Sequence, residues 1–267
     1  MVYFTTNFDG KHTEGIGAMA QYQLICYTLS KCYNAGYYFG GFRNLTHYQY
    51  FNTTPEQWDK DITTFFNLPT TKEPDAPTLP FDTLQEPLKK LIEASSDTIV
   101  SFEPNQLLAF MDQYIDEQTV LEILQQVGKN VILDDQEKYF SKEKQNVAIH
   151  IRRYTKTDCD TNPRREYFEQ SKQEHYTSFI KQLDATGVDF HIYSQGQEQD
   201  FYFLNKDNVF LHIEENPLIS LYHMINADIL HTANSSLSYV AHLLGNHKQC
   251  FVRDTFFHKW KTNTTKI

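Results

Sequence analysis

Arginine is scarce in this chain and unevenly placed. Four of its six arginines, Arg152, Arg153, Arg164 and Arg165, fall within 14 residues, directly after an apolar run that reads as a strand. A guanidinium offers a planar fork of donors that matches phosphate oxygens, and its charge does not titrate away. Ligands of open α/β sheets bind beyond the carboxyl ends of the strands, so an arginine pair there is placed to hold an anion. The neighbouring acids Asp158, Asp160 and Glu166 offer the plainer use of the same arginines, a surface group of ion pairs.

A second anion signal is Asn234-Ser235-Ser236-Leu237-Ser238, between a strand and a helix start. Free N–H groups and the helix dipole favour a phosphate at such a point, although a serine N-cap alone would give the same pattern. Glu14-Gly15-Ile16-Gly17 follows the first strand and opens a helix. Gly15 and Gly17 permit close approach of a ligand to the backbone, and Glu14 is a candidate general base for a hydroxyl. Glu14 also suits a plainer role as a loop acid stabilising the helix start. The segment is neither a full dinucleotide fingerprint nor a P-loop, since it lacks the lysine.

The eleven histidines show no zinc spacing. His150 is singled out because it lies two residues before Arg152, while His191, His212 and His231 read as residues of strands. Asp158-Cys159-Asp160 has the form of a metal–diphosphate pair, but it sits in the arginine loop, where phosphate charge is already met. No metal and no cofactor is expected.

The elements that must position these residues alternate, which predicts an α/β fold with mainly parallel sheets. Strands are expected at 2–8, 37–42 and 97–104, and helices at 18–35, 55–67 and 105–127. The segment 70–82, with three prolines, reads as a surface loop. The polar stretch 134–145 reads as a linker, which divides the chain into lobes 1–137 and 138–267. Beyond it the rhythm is regular. Strands are expected at 146–151, 189–194, 208–213, 228–233 and 248–253, and helices at 165–187, 197–205, 216–227 and 235–245. These five strands read as a complete doubly wound half.

Composition narrows the function classes. A net charge of −10 argues against a general nucleic-acid or anionic-membrane surface. With 17 Tyr and 20 Phe, aromatics exceed the needs of a core alone and suit a sugar-like ligand. No apolar run approaches the ~18 residues of a membrane span. The N-terminus has no basic and apolar leader pattern, and the four cysteines lack metal or disulfide spacing, so a cytoplasmic protein with reduced thiols is expected.

The string Val147-Ala148-Ile149-His150-Ile151-Arg152-Arg153 resembles the H-x-R-R motif of the fucosyltransferase superfamily. Thr13 to Gln21 is similar to that superfamily's glycine-rich N-terminal segment, and Asn234 to Ser238 to its late S-S-x-S motif. The three occur in the expected order and span most of the chain. The resemblance implies a GT-B fold, with two Rossmann-like lobes and a cleft between them. It implies an inverting, metal-independent glycosyltransferase acting from a nucleotide-sugar onto a glycan hydroxyl. Arg152 would bind the donor diphosphate and Glu14 would be the catalytic base. Gly15, Gly17, His150, Arg153, Ser194, Ser235 and Ser236 would complete the donor site. The chain departs from the pattern after the arginine pair, where Tyr154-Thr155-Lys156-Thr157-Asp158 replaces the usual early Asp. That departure leaves the sugar open between fucose on GDP and xylose or another sugar on UDP. A phosphate-ester or nucleotide hydrolase and a non-catalytic carbohydrate-binding protein are the competing readings.

Overall fold

The structure is a computed structural model. It describes residues 1–6, 15–42, 45–46, 53–69, 72–81, 97–103, 106–107, 117–131, 140–153, 165–252 and 264–266, with backbone alone at 117–121, 165–172 and 264–266. The chain divides into two compact units. The boundary expected at 137/138 lies outside the described residues.

The N-terminal unit holds β1 (Val2–Thr6), α1 (Ile16–Cys32), β2 (Gly36–Tyr37), α2 (Pro55–Phe66), β3 (Thr78–Pro80), β4 (Thr98–Phe102) and α3 (Glu117–Gly128). Its sheet runs β2-β1-β4-β3 with every pairing parallel. Helix α1 buries residues on every side, including Gln21, Gln23, Thr28 and Ser30. Buried polar groups must find partners, and most of these do. Thr28 and Ser30 donate to Leu24 O and Tyr27 O, and the Gln23 amide donates to Thr6 Oγ1 at 2.6 Å while accepting from Tyr37 OH at 2.9 Å. Helix α2 starts as its sequence dictates. Thr54 caps it through Gln57 N, Pro55 takes the first turn, and Trp58, Ile62, Phe65 and Phe66 form its buried stripe.

Three expectations for this unit need correction. The supposed loop 70–82 contains β3, paired in parallel with β4. Pro80 within it is tolerated because β3 is the edge strand, where a missing N–H costs no ladder bond. The strand expected at 37–42 shrinks to β2, and 38–42 is irregular. Helix α1 begins at Ile16 and stops at Cys32, not at 18 and 35, with Asn34 turning the chain at φ 52.

The C-terminal unit holds β5 (Gln145–Ile151), α4 (Arg165–Leu183), β6 (Val188–Ser194), a 3-10 helix (Glu198–Leu204), β7 (Val209–Ile213), α5 (Pro217–Asn226), β8 (Ile229–His231), α6 (Ser236–Leu244), β9 (Gln249–Val252) and β10 (Thr264–Lys266). Its sheet, β10-β9-β8-β5-β6-β7, is parallel throughout. The interior strands β5 and β6 are buried on both faces, which is why their sequences read as near-continuous apolar runs. On one face Val147, Ile149, Ile151, Phe190, Ile192 and Ile229 pack with Tyr176, Phe179 and Ile180 of α4 and with Phe201 and Leu204 of the 3-10 helix. The other face carries His150, His191, Tyr193 and His212, with His223 of α5 stacked on Tyr193.

Two details differ from expectation here. Helix α4 ends at Leu183, four residues before Gly187, whose φ of +88 serves the turn into β6 rather than the helix end. A sixth strand, β10, completes the edge beside β9.

Candidate functional site

The order of the C-terminal sheet reverses at β5. The chain runs outward through β6 and β7, then crosses back to place β8 on the other side of β5. In open parallel sheets this switch point, at the carboxyl ends of the two strands, is where the loops part and ligands bind. Arg152 leaves β5 there. The Asn234-Ser235-Ser236 turn leaves the adjacent β8 at the same end and opens α6. The two anion signals of the sequence, 82 positions apart, are brought to neighbouring strand ends.

Arg152 is half-buried, and His150 is buried at 7% exposure. Burial, with the Arg152 charge adding to it, pushes the His150 imidazole down to about 3, so the ring is neutral at physiological pH. Its Nδ1 has no hydrogen-bond partner among the described residues. A neutral imidazole with a buried, unpartnered nitrogen keeps one polar group beside the arginine without adding charge.

Ser235 is the N-cap of α6, with extended backbone and a side chain that accepts from Leu237 N at 3.3 Å. Ser238 locks the turn from inside, accepting from Ala233 N at 3.1 Å. Ser236 begins the helix and is half-buried, like Ser235. The capping use of Ser235 is therefore present. It leaves the positive end of the α6 dipole at the switch point, where it favours an anion.

Arg153 and Ser194 are both engaged internally. Arg153 pairs with Asp200 of the 3-10 helix and lies 5.7 Å from the Phe201 ring centroid. Ser194 Oγ donates to Ile151 O at 2.7 Å, tying the ends of β5 and β6 together. Asp200 escaped the sequence reading because nothing local marks it as the partner of a residue 47 positions away. Gln197 N donates to the Asp200 carboxylate at 2.9 Å, and this bond, with the Arg153 pairing, holds the carboxyl below the usual range.

In the N-terminal unit the sheet order reverses between β1 and β4, so the N-terminus of α1 lies at the corresponding switch point. Gly15 is its N-cap, Gly17 is buried in its first turn, and that turn carries no acid. Glu14, Arg164, Asp158 and Asp160 lie outside the described residues. Among the described residues no group of three or more His, Cys, Asp and Glu side chains is arranged to hold a metal ion, and no helix is long and apolar enough to cross a membrane.

No protein-family model matches the chain, and no curated protein does. Among solved structures, NodZ α-1,6-fucosyltransferase co-crystallised with GDP is similar to it, with a TM-score of 0.53 over 91% of this chain and 92% of that one at 12% identity. The same enzyme soaked with GDP-fucose gives a TM-score of 0.49 at the same coverage and identity. The first comparison establishes the fold: two α/β units, each with a parallel sheet, matching the GT-B-like fold of that enzyme.

Proposed function

We propose that this chain is a glycosyltransferase of the H-x-R-R type that moves fucose from GDP-fucose to a hydroxyl of a glycan. The observation that carries the reading is the convergence of Arg152 and the α6 N-terminus on one switch point. The fold shared with NodZ, an enzyme crystallised with GDP, favours GDP over UDP as the carrier.

In this reading the diphosphate lies across the carboxyl ends of β5 and β8. Arg152 forks its oxygens, the positive end of the α6 dipole faces them, and neutral His150 meets the ribose or base. The acceptor hydroxyl oxygen attacks the anomeric carbon from the side opposite the nucleotide. The bond from that carbon to the diphosphate oxygen breaks, Glu14 takes the hydroxyl proton, and the anomeric centre inverts. Charge grows on the departing diphosphate, so donors aimed there act mainly in the transition state. Arg152 and α6 supply that compensation, and the reading requires no metal.

Incubation with GDP-fucose and with UDP-xylose, in EDTA and with a panel of glycan acceptors, tests it. Transfer from GDP-fucose with an inverted product anomer is expected. Transfer from UDP-xylose alone would keep the enzyme class and change the donor. Release of nucleotide with no acceptor product would favour the hydrolase.

A further inference from the structure

We propose that Arg153 is a positioning residue, not a ligand of the donor: with Asp200 it forms a strut that fixes the end of β5 and so aims Arg152. The inference rests on the role given to Arg152 above. Side chains alternate along an extended segment. Ile151 faces the cluster that contains Phe201 and Leu204, and Arg153, two residues on, reaches the same side to pair with Asp200 and lie over Phe201. Arg152 shares its parity with His150, whose imidazole its charge helps to depress. The paired arginines thus point apart.

The strut belongs to a closed set of bonds. Gly196, at φ +120, lies against the guanidinium; a Cβ there would collide with Arg153 Nη1 and come within 2.8 Å of Asp200 Oδ2. Gly196 N donates to Glu214 Oε1 at 2.7 Å, Glu214 N donates to Ser194 O at 3.1 Å, and Ser194 Oγ donates to Ile151 O at 2.7 Å. Glu214 holds a left-handed φ of 56, a conformation that persists only when surroundings impose it. The carboxyl ends of β5, β6 and β7 are laced together, and Arg153–Asp200 closes the lacing on the strand that carries Arg152. An arginine paired with a fixed carboxylate and lying over an aromatic ring is pre-organised for holding backbone in place.

The test uses Arg153→Gln, Asp200→Asn, the double variant and the charge reversal Arg153→Asp with Asp200→Arg. In hydrogen exchange, amides of 151–153 and 194–197 are expected to open about tenfold faster in each single variant and no faster than that in the double, with β8 unchanged. In titrations with GDP, Asp200→Asn is expected to weaken binding about tenfold, as Arg153→Gln does, with no further loss in the double variant. Adding Arg152→Ala to Asp200→Asn is expected to cost less than it does alone, because Asp200 acts through Arg152. Charge reversal restores at least half of the lost affinity. Normal GDP affinity in Asp200→Asn beside weakened Arg153→Gln would make Arg153 a ligand and overturn the proposal. Unchanged exchange at 151–153 would overturn it too. If the wild-type chain does not bind GDP, the nucleotide reading fails, and hydrogen exchange still decides the strut.

Discussion

His191 and His212 are bonded ring to ring across adjacent strands, His191 Nδ1 lying 3.0 Å from His212 Nε2. His212 Nδ1 is in turn 3.7 Å from Glu215 Oε1, so a chain of imidazoles leads from a carboxylate at the end of β7 into the sheet. Burial, then the charges of His212 and His223, push His191 down to about 3 from an ordinary 6.5, as burial does His150. Both must be neutral in the folded unit.

Acid is therefore expected to destabilise the C-terminal unit before its carboxylates titrate. A histidine whose folded value is lowered contributes fully above 6.5 and loses that contribution as pH falls toward 3. Between pH 6.5 and 5 the loss reaches up to about 2 kcal/mol for each of the two rings. Thermal unfolding at pH 7.5, 6 and 5 measures it, and His191→Phe is expected to flatten the slope. A midpoint unchanged across that range would contradict the account.

Ser194→Ala removes the donor to Ile151 O without leaving a cavity. It is expected to cost about 1 kcal/mol of stability, by denaturant titration. Its effect on GDP affinity is expected to stay below about threefold, since the Arg153–Asp200 pair still fixes the end of β5. A tenfold loss of GDP binding with unchanged stability would return Ser194 to the donor site.

Gly245→Ala tests a clamp between α5 and α6. His247 folds back under Gly245, its Nδ1 2.8 Å from Ala227 O and its Nε2 3.3 Å from Ala241 O. A Cβ on Gly245 would strike the His247 ring and lie 2.8 Å from Ile225 O, which is backbone and cannot move aside. The expected loss is about 2 kcal/mol, read from chemical unfolding. A neutral substitution would show that the clamp is loose.

Glu14→Gln separates binding from chemistry. An amide keeps the size of the side chain and cannot take a proton, so GDP binding is expected to stay and transfer to fall at least ~100-fold. Loss of GDP binding would instead make Glu14 a donor-side or structural residue.

Much of the fold was legible because a parallel sheet imposes its own signature. Val147 to Ile151 and Phe190 to Tyr193 are apolar enough to be covered on both faces, and the serine cap at Ser235 announces a helix start. The failures have equally local causes. Prolines hid β3 because the penalty of Pro80 vanishes at a sheet edge, and β10 owes its strand state to pairing with β9. Arg152 and Ser235 were legible as types at strand ends. The commitment of Arg153 to Asp200 was not, nor was the His191–His212 bond, because both depend on which elements become neighbours in space.

Under the proposed function, Arg152 holds a nucleoside diphosphate at the β5–β8 switch point. Calorimetric titration of the wild-type chain and of Arg152→Ala with GDP, in EDTA, tests it most directly. Saturable binding by the wild type is expected, with affinity at least ~100-fold lower in the variant and an unchanged unfolding midpoint. Equal affinity of the two proteins for GDP, or no binding by either, would contradict the account.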